Sequence, residues 1–392
     1  MPPALQTVTS AAAAHPLAML AVATTALLTL RLARFLLRDD ADGPTLRAAA
    51  RSAPPSYAGR TVWVTGASQG LGLELAIRYA ARGAALILSA RPSPRLAAAG
   101  AAVAAAGRAS GAPPPSLLPF DATAGGEELA RVAAAAADAS AAAGNVPGVD
   151  LLVLCAGASQ HGAAAATAPS VSDALFELNC AGPVRLVVAA LPGLLAAAAA
   201  RARRAGGGGG GGGGGDSAPP PAPASSSSIL GICSMAAVVP APGQAAYGAS
   251  KAGLASYLAT LSAELAGEGV RATVFCAGPV ATGTEAAPRA VYGSGGPKTL
   301  PPPSPAEAAK RLSPGRAADL AIAAADAGLP VSWATKQPIL SLAYAAQYAP
   351  WLCTLVMRAV GPARARGLEE GKGGYDVGGL VRAGAARGKK GA

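Results

Sequence analysis

From residue 60 onward the chain repeats one pattern: a short, continuous apolar run, then a longer stretch whose apolar positions recur three and four apart. The runs are RTVWV, ALILSA, SLLPFD, DLLVLCAG, ILGICS, ATVFCAGP and PVSW, the last at residues 330–333. Runs of this length without polar alternation suit strands buried on both faces, as in parallel sheets. After the first run, LGLELAIRYAARG carries the helical period and closes on Gly83. Strands alternating with helices predict an α/β fold, a doubly wound parallel sheet of about seven strands. The pattern places this core domain at 59–335, with a polar connector at 39–58 before it. One segment interrupts it. Residues 202–228 hold ten consecutive glycines, Gly206–Gly215, followed by prolines and serines, and such a composition forms no packed core.

Two further apolar segments lie outside the repeat. Residues 11–30 contain no acidic side chain and are long enough to cross a hydrocarbon layer of about 30 Å. Arg31, Arg34 and Arg38 follow, so the positive-inside rule leaves the body of the protein on the cytosolic side. Residues 1–38 therefore predict a membrane anchor or targeting segment. A transit peptide is the rival reading, and a cleaved signal fits less well because no charged n-region precedes the apolar run. The second segment, QPILSLAYAAQYAPWLCTLVM at 337–357, is uncharged and interrupted by Pro350. Tyr344, Tyr348 and Trp351 share one side of it, which suits a helix of residues 336–360 that lies at a membrane interface or covers a substrate. A basic tail, 361–392, ends KKGA, and Lys389 and Lys390 match a dilysine retrieval signal.

Composition changes this picture little. The 392 residues carry a net charge of +11, but the arginines are scattered and aromatics are only 4%, so no nucleic-acid surface is expected. Attraction to an anionic membrane surface fits better. The five cysteines form no CxxC pair and there are two histidines, His15 and His161, so no metal site is expected.

The chemistry sits at the strand ends. TGASQGLG, Thr65–Gly72, follows the first strand and opens the first helix, with glycines at Gly66, Gly70 and Gly72. Ser68, Gln69 and Leu71 complete the loop. Such a turn brings a pyrophosphate against free backbone N–H groups at a helix N-terminus. A dinucleotide site for NAD normally shows an acid after the second strand. Here that strand ends LSARP, and Arg91 suits a 2′-phosphate, so NADP(H) is the expected cofactor. Asp121, after the third strand, is placed to accept a hydrogen bond from the adenine amino group.

YGASK, Tyr247–Lys251, sets a tyrosine and a lysine one helical turn apart, on one helix face. With the glycine turn, CAG at Cys155–Gly157, Asn179, Ser234 and AGPVATG, it occurs in an order that resembles the short-chain dehydrogenase/reductase family. Ser234 stands 13 residues before Tyr247, and Asn179 reaches the family's separation from Ser234 once the insertion at 202–228 is subtracted.

The resemblance implies a Rossmann-like fold and a catalytic set of Asn179, Ser234, Tyr247 and Lys251. Tyr247 would give a proton to a carbonyl oxygen, with Lys251 supplying positive charge and holding the nicotinamide ribose. Ser234 would hold the substrate oxygen, and Asn179 a water that links Lys251 to solvent. Ala156, Gly157, Pro279, Val280 and Thr282 would border the cofactor, with Thr282 at the carboxamide. Two departures stand out: Cys155 replaces a usual asparagine, and Gly278-Pro279 reverses the usual proline–glycine order.

The spacing Trp333, Gln337, Pro338, Tyr344, Gln347, Tyr348, Pro350 is similar to a membrane-bound subgroup of the family. That likeness implies an NADP-linked reductase of a retinoid- or steroid-like carbonyl or alcohol on the endoplasmic reticulum membrane, and the family often forms homodimers. The alternatives are a 3-ketosphinganine reductase, a plastid pigment reductase, or an NADP-binding scaffold without turnover.

Overall fold

A computed structural model describes residues 16–51, 56–206, 226–283 and 289–370. The chain divides into two compact units, Met1–Asp40 and Ala41–Ala392. Among the described residues, the first contributes α1 (Pro16–Arg38). Its span Leu17–Leu37 has a mean hydropathy of 1.6 and none of it is buried. Twenty-one helical residues reach about 31 Å, the thickness of a hydrocarbon core.

The second unit opens with α2 (Gly43–Arg51), inside what reads from sequence as a connector. Asp42 exchanges backbone and carboxylate hydrogen bonds with Trp333, and Thr45 is fully buried. The alternation then runs β1 (Thr61–Thr65), α3 (Gly70–Ala81), β2 (Ala85–Ser89), α4 (Pro94–Gly107), β3 (Ser116–Leu117), α5 (Gly126–Ala142) and β4 (Leu151–Leu154). A short β5 (Ser159–Gln160) follows, then α6 (Pro169–Phe176), a π-helical turn at Glu177–Ala181, and α7 (Gly182–Gly206). Next come β6 (Ser227–Ser234), α8 (Ala245–Glu264), β7 (Val270–Ala277), β8 (Arg289–Tyr292) and β9 (Pro297–Leu300). The chain continues through α9 (Pro305–Ala309), α10 (Pro314–Asp326), β10 (Val331–Ala334), α11 (Ile339–Tyr348) and α12 (Pro350–Glu369).

The seven expected runs form one sheet in the order β10-β7-β6-β4-β1-β2-β3, with every neighbouring pair parallel. Each strand feeds both faces in turn, as the period of two requires. Val62, Val64, Leu86, Leu88, Leu151 and Val153 join the layer with α3 and α10. Trp63, Ile87, Leu152 and Leu154 join the opposite layer with α5, α7 and α8. Strand order diverges at β1, which has β2 on one side and β4 on the other. The loops leaving their carboxyl ends part there and open a crevice.

Several elements differ from the sequence pattern, each for a local reason. SLLPFD yields only two paired residues at the sheet edge, although the Leu118 and Phe120 N–H groups still donate to Leu88 and Ala90; Pro119, between them, needs no partner because its position faces away from β2. Ser227 and Ser228 of the glycine-rich insertion are β6 residues paired with Val270 and Arg271, while residues 207–225 lie outside the described set. The 337–357 run is two helices, broken at Pro350, and the second runs on to Glu369. Lys389 and Lys390 lie outside the described residues. A three-stranded sheet, β5-β8-β9, has no counterpart in the pattern, since its strands are two to four residues long. The apolar helical span 169–204 is long enough to cross a membrane, yet it packs into the core with 39% of its most apolar stretch buried.

Phe275 on β7 is fully buried beneath α10. Phe275→Ala should cost about 3–5 kcal/mol of stability, seen as a lower urea midpoint with an unchanged slope.

Candidate active site

A cleft of about 2250 Å³ opens at the carboxyl ends of the strands. Its first wall is the turn from β1 into α3. Gly66 and Gly70 have φ of 66° and 59°, the left-handed region that glycine tolerates. A Cβ on Gly66 would sit 2.8 Å from the Ala156 backbone, and one on Gly72 would sit 2.3 Å from the Gly66 carbonyl oxygen. These two positions admit no side chain. The N-cap residue Gln69 makes no side-chain capping bond to α3, and no acid lies in the helix's first turn. Its leading N–H groups therefore present a positive helix end beside Ser68, Gln69 and Leu71, which line the cleft. A pyrophosphate fits that chemistry.

Beyond the turn, Arg91 and Asp121 lie on the cleft wall after β2 and β3. The Thr123 backbone N–H and hydroxyl both donate to Asp121 Oδ1, at 2.9 and 2.7 Å. The N–H bond is the main reason its carboxyl is held below the usual range, and the Arg91 charge adds to it. Arg95, in the first turn of α4, also lines the cleft and donates to Gln69 Oε1 at 3.4 Å. Sequence reading had no reason to single it out. The only signal is RPSPR itself, two cations four residues apart after a strand.

The opposite wall holds Ser234 at the end of β6, and Tyr247 and Lys251 on α8. Lys251 is 5% exposed, and its Nζ donates to the Ile232 carbonyl at 2.9 Å. Ser234 Oγ accepts the Ala236 N–H at 3.1 Å, which leaves the hydroxyl hydrogen for another acceptor. Asn179, in the π-helical turn, is fully buried behind the wall. Its Oδ1 accepts the Ala158 N–H, and its Nδ2 donates to the Ala158 carbonyl and to Ser250 Oγ, at 3.0, 3.0 and 3.1 Å. A Cβ on Gly157 would lie 2.6 Å from Asn179 Oδ1 and 3.2 Å from Lys251 Nζ. The three meet at one point. Of the catalytic and cofactor residues expected from sequence, all but Asn179 line the cleft, including Ala156, Gly157, Pro279, Val280 and Thr282.

Both sequence departures have local explanations. Thr65 Oγ1 takes the Cys155 N–H at 3.1 Å, so the β4 turn is held from β1 without an asparagine. A Cβ on Gly278 would lie 2.0 Å from Thr335 Oγ1, so glycine must stand there and proline follows. The Thr282 side chain then comes within 3.4 Å of a Cβ placed on Gly70.

The residues that aim Tyr247 are not in any motif. Gln160 Oε1 accepts the N–H groups of Ala246 and Tyr247, at 3.0 and 3.3 Å, and so caps α8 from a distant strand. Gln244 donates to Ser159 Oγ at 2.8 Å and accepts from Arg364 Nη2 at 2.9 Å. Arg364 also donates to the Pro242 carbonyl. It belongs to α12, whose Val356, Met357 and Val360 line the same cleft. His161, by contrast, is buried beside β8 and is not among the lining residues.

A family model described as short chain dehydrogenase matches residues 60–203 and 221–291, more than half of the chain. Among solved structures, the chain is similar to a short chain dehydrogenase from Burkholderia cenocepacia J2315 in complex with NADP. It is 22% identical, with a TM-score of 0.54, over 77% of this chain and 98% of that one. A dehydrogenase/reductase from Sinorhizobium meliloti 1021 is 22% identical with a TM-score of 0.52, over 72% and 94%. At these identities the likeness is one of fold. No curated protein matches the chain.

Burial pushes the Cys155 and Cys233 thiols up to about 11, against a smaller pull from Lys251. At pH 8 each is then a thiolate in about one molecule in a thousand. Iodoacetamide at that pH should leave both unlabelled in the native protein and label both after unfolding, as read by peptide mass spectrometry. Rapid native labelling of Cys233, which is 3% exposed, would contradict its buried placement, while Cys155, half-buried on the cleft wall, tests the raised thiol itself.

Proposed function

Since the chain belongs to the short-chain dehydrogenase family, and is an oxidoreductase of that type, we propose that it is a membrane-associated, NADP(H)-dependent reductase of a ketone or aldehyde on a lipophilic molecule. The observation that carries this reading is that Ser234, Tyr247 and Lys251 line the same cleft as the glycine turn. A nicotinamide dinucleotide, when bound, supplies the hydride.

The chain's own residues supply the proton and the geometry. A free phenol with a pKa of about 10 is a reluctant partner near neutrality. Lys251, one turn along α8 and fixed to Ile232, adds the positive charge that favours the phenolate left after Tyr247 gives up its proton. Ser234 turns its hydroxyl hydrogen toward the substrate oxygen and fixes its position. Asn179 Oδ1 and Lys251 Nζ both lie against Gly157, and Asn179 is read as holding a water through which Lys251 regains a proton from solvent. At the far end, Arg91 with Arg95 favours a 2′-phosphate over a bare ribose, which supports NADP(H). Asp121 is read as the partner of the adenine amino group, and Thr282 as that of the carboxamide.

The substrate half of the cleft is apolar, with Val239, Tyr292, Leu342, Val356, Met357 and Val360 on its wall. That lining, with α1, supports a greasy, retinoid- or steroid-like substrate. The C-terminal block from Trp333 to Pro350 resembles dehydrogenase/reductase SDR family member 7, and the endoplasmic reticulum membrane is the location that this resemblance favours.

Full-length protein in lipid vesicles should oxidise NADPH with at least one member of a panel of retinal, a ketosteroid and a 3-ketosphingoid. Tyr247→Phe should lower turnover about 10²–10⁴-fold without weakening NADPH binding. Turnover that survives this change would refute the assigned acid. Arg91→Ala should weaken NADPH about 10- to 100-fold in a fluorescence titration and leave NADH unchanged. Equal loss for both cofactors would remove the argument for a 2′-phosphate.

A further inference from the structure

The helix α12 has two faces with different surroundings. Its inner face, with Val356, Met357, Val360 and Arg364, lines the cleft. Its outer face begins with Trp351, 71% exposed, and Leu355, 62% exposed, beside Leu352 and the ring of Tyr348 at the end of α11. Large apolar side chains gathered on one surface call for a covering partner. Along the same face, seven and fifteen residues after Trp351, stand the exposed Arg358 and Arg366. From Pro350 to Arg366 the helix holds no acidic residue. An aromatic and leucine end followed by cations is the chemistry of a helix at a lipid surface. Rings favour the headgroup level, leucines the acyl boundary, and arginines the anionic headgroups.

The chain's connectivity favours lipid over a protein partner. Only Asp39 and Asp40 separate the candidate spanning helix α1 from Ala41, where the second unit begins. Ala41 bridges to Ala334, and Asp42 bonds to Trp333, so the chain joins this unit along the edge strand β10. The same strand leads directly into α11. From Trp333 the rings of Tyr344 and Tyr348 follow at 5.4 and 6.3 Å, an aromatic path from that edge to the outer face.

We propose that the outer face of α12, with Tyr348, rests on a lipid bilayer surface, so that the helix roofing the cleft is itself the membrane contact. A lipophilic carbonyl then leaves the bilayer beside α11 and α12 and reaches the cleft without crossing bulk water. This second step rests on the reductase reading above; the docking step does not.

The test uses the full chain in phosphatidylcholine vesicles with a minor fraction of phosphatidylserine. The protein has three tryptophans, and of these Trp63 is fully buried and Trp351 is exposed. Lipids brominated on the upper acyl chain should quench the part of the emission that Trp351→Phe removes. The Trp63 and Trp333 emission in that variant should persist. Unquenched Trp351 emission overturns the proposal. So does its burial in a second copy, seen as cross-linking that rises with protein concentration and is indifferent to lipid. Leu355→Glu should lower turnover of a membrane-partitioned carbonyl and spare that of a small, water-soluble one. Equal turnover of both, relative to the unaltered chain, overturns the entry route. Quenching in a protein that turns over no carbonyl would uphold the docking and defeat the reductase reading instead.

Discussion

At the carboxyl ends of β1 and β4 the backbone itself fills the available space. Gly66 approaches Ala156, Gly72 closes on Gly66, and Gly157 stands against Asn179 and Lys251, each nearer than a Cβ allows. This close approach fixes where α3 starts and therefore where its uncapped N-terminus points. It also sets how far Lys251 lies from the diverging strand ends. The parallel sheet supplies the frame, because a sheet order that reverses at β1 leaves a crevice there.

The second wall depends on polar contacts that cross long distances in sequence. Tyr247 sits in the first turn of α8, where backbone N–H groups lack helical partners. Gln160, itself fully buried, accepts two of them. Ser250 bonds back to the Tyr247 carbonyl and receives the Asn179 amide, so the π-helical turn and α8 are joined through one hydroxyl. Buried networks of this kind hold one arrangement because each unmade bond would leave a desolvated polar group. From outside, Arg364 ties α12 to the loop that leads into α8. The roof of the cleft and the tyrosine are thus coupled through Gln244.

Much of this was legible in the linear chain, and the reasons differ by residue. The seven strands show as apolar runs because a strand covered on both faces has no polar side to display. Tyr247 and Lys251 show because a helical turn fixes their separation, and Gly66, Gly70 and Gly72 show because a tight turn before a helix needs them. Gln160, Gln244 and Arg364 carried no such mark. A glutamine or arginine has many uses, and these gain theirs only when β5, the α8 loop and α12 come together. The small β5-β8-β9 sheet was silent for a related reason, since strands this short are defined by their partners rather than by a pattern of their own.

The sequence alone determined the α/β alternation, the glycine turn, the Tyr247–Lys251 pair and the apolar character of α1, because each follows from contacts within a few residues of chain. Only the tertiary structure decided that residues 43–51 form α2 and dock on β10. It also decided that Pro350 divides one apolar run into two helices, and that α12 turns one face to the cleft and the other outward. The physical reason is the same throughout. Which face of an element is buried depends on what packs against it, and that partner lies far away in the chain.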